Sequence, residues 1–131
     1  MHFFNNINAG RMKTKKAALI FALLALAALI ACDTPERLRT DAELGLNPTQ
    51  AAGHHIFDHK CAECHAAYSS HVYKGPTLQG IFKKPYLKTG APANDERVTD
   101  IITVGHNKMP AYSRVLTQEQ IEQVVAYLHT L

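Results

Sequence analysis

Cys61, Cys64 and His65 form the run CAECH, two thiols three positions apart with an imidazole directly behind the second. Three chemistries use such a set. A zinc site draws four ligands from thiolates and imidazoles, typically as two pairs. A thioredoxin-type dithiol cycles between thiols and a disulfide within a βαβ setting. Haem attachment adds the two thiols across the vinyl groups of the porphyrin, while the adjacent imidazole reaches the iron from the same side. One helical turn carries all three groups, so the spacing follows porphyrin geometry. The sequence has no second CxxC pair, and zinc would need a distant fourth ligand. No strand pattern surrounds the run, which counts against the dithiol. C-x-x-C-H is the signature of c-type haem attachment, so Cys61 and Cys64 are expected to carry one haem c through thioethers, with His65 an axial ligand of its iron.

The opposite axial position needs a second donor. Of the three methionines, Met1 and Met12 precede or open an export signal described below, which leaves Met109. It stands in GHNKMPAY, between a helix stop and a proline, where a loop can fold a thioether onto iron. Methionine also fills core space without any ligand role. Competing imidazoles are His54, His55, His59, His71, His106 and His129. The first three lie on the helix leading into CAECH, on the proximal side or in solvent, and His129 reads as a surface residue near a helix C-terminus, where the dipole suits it. His71 and His106 lie in loops. Met109 is the expected ligand, with His106 and His71 as the alternatives, since haem accepts both His/Met and His-only ligation.

The elements that must position these groups read as helices. In NPTQAAGHHIFDHK, Asn47 caps, Pro48 suits the first helical position and Gln50 completes a capping box. Gly53, Phe57 and Cys61 recur at steps of four and share a face. Residues 66–93 hold Gly75-Pro76, Gly80, Pro85, Gly90 and Pro92, which is loop chemistry with room for a short helical turn. A second helix is expected from Asn94, with Asp95 and Glu96 in its first turn, Val98, Ile101 and Ile102 inward and a stop at Gly105. The third, TQEQIEQVVAYLHTL, opens on a Thr117–Gln120 capping box and carries Ile121, Val124, Val125 and Leu128 as one stripe. The fold class is all-α. So thin a core, with this much Gly and Pro, calls for a large apolar cofactor at its centre.

Ahead of these helices, Arg11, Lys13, Lys15 and Lys16 lead into AALIFALLALAALIA, residues 17–31. That run is short of the ~20 residues of a stable membrane span. Its layout is that of an export signal, and Met12 makes a more compact start for it than Met1. The run ends in LIAC, which resembles the lipobox of bacterial lipoproteins and implies cleavage before Cys32 and a lipid on that residue. The alternative is an ordinary signal peptide with an incidental cysteine. Residues 1–31 are thus expected as signal, 32–46 as lipidated cysteine and flexible tether, and 47–131 as the folded domain. The whole chain has formal charge +3, but of its 14 Lys and Arg four belong to the signal. The ten that remain face 11 Asp and Glu, a net of −1, and no nucleic-acid partner is implied. Export also places Cys61 and Cys64 in an oxidising compartment, where nearby thiols are trapped in some covalent bond.

From Asn47 to Leu131 the chain resembles a class I, monohaem c-type cytochrome of the short bacterial kind. The resemblance is carried by GHHIFDHKCAECH, KGPTLQGIF, VTDIITVGHNKMPAY and LTQEQIEQVVAYL. It implies three main helices wrapped around one covalently attached haem. It implies a close crossing of the first and last helices, with Gly53 meeting Tyr127 and Phe57 meeting Val124 and Leu128. It also implies that the Pro76 carbonyl accepts the ring N–H of His65, a bond that fixes the ring and tunes its basicity. The short, basic stretch between Gly80 and Asn94 departs from longer eukaryotic forms, leaving Tyr73, Tyr86 and Tyr112 as candidates for the haem propionates.

With His65 and Met109 on the iron, no position is open to substrate. The expected function is outer-sphere one-electron transfer, without enzyme chemistry of its own, at a potential raised by the thioether and by burial. The resemblance and the signal together imply a lipid-anchored carrier on the periplasmic side of a bacterial membrane, in a respiratory-type chain. Its donor would be a quinol-oxidising complex or dehydrogenase, and its acceptor an oxidase or reductase. Asp33, directly after Cys32, resembles an inner-membrane retention signal. Lys60, Lys74, Lys83, Lys84, Lys88 and Lys108 form a candidate docking ring for acidic partners; the plainer reading is solvated loop charge. Two alternatives stand: a cytochrome subunit fixed to one dehydrogenase or oxidase complex, or a haem-based gas-binding or sensor protein in which Met109 is absent from the iron or leaves readily.

Overall fold

The computed structural model describes residues 39–131, which hold three α-helices, one short 3₁₀ helix and, among the described residues, no strand beyond two isolated bridges. The expected signal, the lipidation candidate Cys32, Asp33 and the first part of the expected tether lie outside the described residues. Helix α1 spans Pro48–Lys60, with the Asn47 side chain accepting from Gln50 N–H and the Gln50 side chain accepting from Asn47 N–H. Helix α2 spans Asp95–Val104; the Asn94 side chain accepts from Arg97 N–H, and the helix ends at Gly105 with φ +80°. Helix α3 spans Gln118–Leu128 behind the Thr117–Gln120 box. Residues 129–131, expected in α3, leave it as a turn closed by Thr130 N–H to the Tyr127 carbonyl. Between α1 and α2 the chain is irregular except for the 3₁₀ helix Ile81–Lys83, entered through Gly80 in the left-handed region.

α3 packs against both other helices. The core is Phe57 from α1, Val98 and Ile102 from α2, Leu116, and Ile121, Val124, Val125, Tyr127 and Leu128 from α3, closed by Leu131. Each such side chain contributes roughly 1.5–3 kcal/mol on burial, so α3, with five of them, organises the domain. The crossing of α1 and α3 is set by Gly53. A Cβ there would stand 1.9 Å from the Gln123 carbonyl oxygen, 2.5 Å from its carbon and 3.0 Å from Tyr127 Cβ. The expected Gly53–Tyr127 approach is present, with the Gln123 backbone closer still. Phe57 lies beside Val124 and Leu128 in the core and tilts against the Tyr127 ring at 5.3 Å.

Two expectations change. Residues 40–46 do not continue the tether. Glu43 accepts from both the backbone N–H and the hydroxyl of Thr40, Leu44 N–H reaches the Thr40 carbonyl, and Leu46 packs on the core. This strap is fastened by Asp41, whose carboxylate bonds His54 Nδ1 at 2.6 Å and His55 Nε2 at 3.0 Å. His54 is therefore not solvated. It is buried against the Tyr127 ring at 4.8 Å, between Asp41 and, at 3.5 Å, Asp58. A buried imidazole needs partners for its ring nitrogens, and the strap brings one of them. The hydrogen bond from His54, then the charges of His55 and His54, hold the Asp41 carboxyl below its ordinary range.

Candidate functional site

CAECH begins where α1 stops. Cys61 caps the helix, its N–H bonding the Phe57 carbonyl, and its own carbonyl accepts from Cys64 N–H at 3.0 Å and His65 N–H at 2.9 Å. The helical turn is thus extended by one more loop of backbone, which holds both thiols and the imidazole on a single rigid stub. Both thiols are free and half-buried. Burial, and then the neighbouring Cys64, push the Cys61 thiol up to about 11, so it stays protonated and inert as a thiolate nucleophile near neutrality. Among the described residues no three His, Cys, Asp or Glu side chains gather to hold a metal ion, and none sits in a βαβ unit. The donor set therefore fits neither a zinc site nor a thioredoxin-like dithiol.

His65 is fixed by two neighbours. Its Nδ1–H donates to the Pro76 carbonyl at 2.7 Å. That bond places the proton on Nδ1, which leaves the Nε2 lone pair as the ring's free donor. Gly75 lies flat against the ring: a Cβ there would be 2.6 Å from Cε1, 2.9 Å from Nδ1 and 3.0 Å from Nε2. The backbone of this loop is itself tied down, Gly75 N–H to the Cys64 carbonyl and Leu78 N–H to the Ala66 carbonyl, both at 2.8 Å. Thr77 adds a hydroxyl bond to Ser69 O at 2.5 Å, and Gln79 donates its side-chain amide to Tyr68 O at 3.1 Å. The histidine and its orienting carbonyl are thus set by one hydrogen-bonded loop.

Met109 sits in a tight hairpin after α2. His106 and Met109 exchange both backbone hydrogen bonds, Asn107 takes φ +52°, and Gly105 lies where a Cβ would be 2.7 Å from the Met109 carbonyl. Glycine adopts such backbone freely, and asparagine tolerates it better than most residues. The Met109 side chain packs half-buried on the core, whereas His106 is exposed. His71 is exposed too, edge-on to Tyr73 at 5.0 Å. His59 is exposed, and His129 is exposed as expected, bonding Asp95 at 2.8 Å and stacking on Phe82 at 3.8 Å.

Beyond the hairpin, Tyr112 N–H bonds the Ile102 carbonyl, and its hydroxyl donates to the Lys60 carbonyl at 2.7 Å. Burial, followed by Cys61, Cys64 and Glu63, raises the phenol above its usual range, which places it beside the thiol pair. Of the three propionate candidates, Tyr112 is thereby engaged on a backbone carbonyl, while Tyr73 and Tyr86 are exposed. Leu78, Ile81, Phe82 and Leu87 join Met109, Tyr112 and Cys61 as half-buried apolar side chains against the core. Two thiols, an oriented imidazole, a thioether and this apolar shelf match the donor set and surface that a covalently held porphyrin requires. All six lysines of the expected ring are exposed, but Lys74 is paired with Glu63 and Lys84 donates to the Gln79 carbonyl at 2.9 Å.

The Tyr68–Tyr127 hydroxyl pair, at 2.7 Å, and the Tyr112–Lys60 bond were not foreseen from sequence. Each joins residues more than fifty positions apart, and no local pattern signals either.

Residues 48–128 match the family model described as "Cytochrome C oxidase, cbb3-type, subunit III". The chain is 34% identical over 116 residues to cytochrome c6 of Picosynechococcus sp., covering 86% of this chain and 92% of that protein. It is 33% identical over 111 residues to cytochrome c6 of Rippkaea orientalis, covering 85% and 87% respectively. A cytochrome c6-like protein of Nostoc sp. is 37% identical over 76 residues, covering 58% of this chain and 65% of that protein. No solved structure matches the chain significantly.

Proposed function

The chain belongs to the small monohaem class I c-type cytochromes, and from that premise we propose that it is a lipid-anchored one-electron carrier on the periplasmic side of a bacterial membrane. In this reading Cys61 and Cys64 bind the haem, His65 and Met109 are the axial ligands, and Cys32 carries the lipid. The family places one covalently bound haem c in the domain, and the class carries electrons between redox partners. The haem c supplies a ferric/ferrous couple that takes up and releases one electron at a time.

What the chain itself does is hold, orient and insulate. Pro76 and Gly75 fix the His65 ring and leave Nε2 as its free donor. The Gly105–Tyr112 hairpin presents a soft, neutral thioether from the other segment. With both donors supplied by rigid backbone, little atomic movement accompanies a change of charge, and no position is left for a substrate. The Cys61 and Cys64 thiols are both free and half-buried on the turn that carries His65. The observation that carries the proposal is the His65–Pro76 bond beside Gly75, because a histidine directly behind a thiol pair is held there with one nitrogen locked and the other offered.

The respiratory-type role, with a quinol-oxidising complex or dehydrogenase as donor and an oxidase or reductase as acceptor, rests on the export signal and the lipobox-like LIAC. A second reading, a cytochrome subunit fixed to an oxidase, is favoured by the family model that residues 48–128 match. Maturation in a host with haem-ligation machinery tests the site. Cys61→Ala should lose one thioether and most covalent haem, and Met109→Ala should lose the ferric thioether–iron charge-transfer band. A band unchanged in Met109→Ala would sink the ligand assignment. Radiolabelled palmitate should enter the wild type and not Cys32→Ala, and co-purification with one oxidase at high salt would favour the second reading.

A further inference from the structure

We propose that Tyr112 is a positioning residue for electron transfer: its hydroxyl bond to the Lys60 carbonyl latches the Met109 hairpin shut over the segment that carries Cys61, Cys64 and His65. This rests on the reading of Met109 as an iron ligand.

The geometry is specific. The hairpin is held at its near end by α2, through Gly105 N–H to the Ile101 carbonyl and Tyr112 N–H to the Ile102 carbonyl, both at 2.9 Å. Those bonds fix the hairpin to α2 alone. The Tyr112 hydroxyl instead crosses 52 residues of sequence to the carbonyl immediately before Cys61. It thereby ties the thioether-bearing loop to the end of α1, on which the thiols and imidazole stand. Tyr112 also starts the next turn, its carbonyl accepting from Val115 and Leu116 N–H, so the ring cannot drift with its own backbone. Leu116, two residues before α3, is a core residue.

A thioether is a neutral, soft donor and binds iron weakly by itself. Its hold depends on how rarely the loop opens, because a tethered ligand rebinds from high effective concentration. Breaking one neutral hydrogen bond favours the open loop by about fivefold. The ring and its packing are untouched in Tyr112→Phe, which removes the hydroxyl alone.

The test uses the full-length holoprotein. Carbon monoxide capture by the reduced form, in competition with the closed loop, reads the opening equilibrium. Tyr112→Phe should retain covalent haem and the ferric charge-transfer band and capture carbon monoxide about five times faster. Thr130→Val serves as the comparison. It removes one hydroxyl bond of similar size, to the Tyr127 carbonyl at 2.7 Å, far from the hairpin in sequence. It should cost comparable stability and leave the capture rate unchanged. A Tyr112→Phe rate equal to wild type, or an equal acceleration by Thr130→Val, overturns the latch while leaving Met109 as ligand. Capture by wild type as fast as by Met109→Ala removes the ligand reading and the latch with it.

Discussion

Replacing Gly53 by alanine separates two opposed effects at one position. In the middle of α1 the change should favour the helix by about 1 kcal/mol, the difference in intrinsic propensity. The crossing with α3 opposes it. The new Cβ would stand 1.9 Å from the Gln123 carbonyl oxygen, and ordinary contact begins at 3.4 Å, so one helix must withdraw by about 1.5 Å. The obstructing atoms are backbone of α3, which cannot swing aside as a side chain would. Withdrawal loosens Phe57, Val124, Tyr127 and Leu128, all of them 3% exposed or less. Overpacking of a tight core costs typically 1–3 kcal/mol and sometimes more, and loosening a cluster of this size belongs at the upper end. The net expectation is a loss of roughly 2 kcal/mol after the propensity gain. For a domain of this length that lowers Tm by about 10 °C or more. Thermal unfolding of the holoprotein, followed by far-ultraviolet circular dichroism, is the assay. A Tm equal to or above wild type would refute the reasoning, because it would mean that propensity outweighs the crossing.

Two other outcomes follow from polar contacts. The Asp41 carboxyl has a folded pKa below its ordinary value, so its stabilising contribution is fully present above the unfolded pKa and disappears as pH falls through the folded one. Asp41→Asn should therefore be about 1 kcal/mol less stable than wild type at pH 7, with the gap closing in acid; urea midpoints at pH 7 and below pH 4 measure it, and a gap that widens in acid contradicts the assignment. Tyr68→Phe and Tyr127→Phe break the same hydroxyl pair but should differ in cost. The first strands the hydroxyl of Tyr127, whose residue is wholly buried, at about 1–3 kcal/mol. The second leaves the half-exposed Tyr68 within reach of water and should cost less, so equal urea midpoints for the two variants would count against the buried-hydroxyl argument.

The parts of this fold that were legible in sequence are those whose causes are local. The Asn47–Gln50 and Thr117–Gln120 boxes place helix starts because both partners lie within one turn. The Ile121, Val124, Val125 and Leu128 stripe is buried as its period implies. CAECH is legible because covalent chemistry with a rigid ring fixes its spacing. The burial of His54 was out of reach because it depends on a strap whose charged, apolar-poor sequence reads as tether; one hydrogen-bonded contact to Asp41 reverses that reading. The Tyr112–Lys60 bond was out of reach for a similar reason, since it joins two irregular segments whose meeting depends on the whole domain closing.

The packing of the first helix on the last also orders events in time. α1 and the thiol-bearing turn are synthesised well before α3, yet the tightest neighbour of Gly53, the Gln123 backbone, lies about 70 positions further along the chain. Pairings between such distant stretches form slowly. The nascent domain thus passes through an interval in which α1 and its thiol-bearing turn exist before the helix that packs on them has been made.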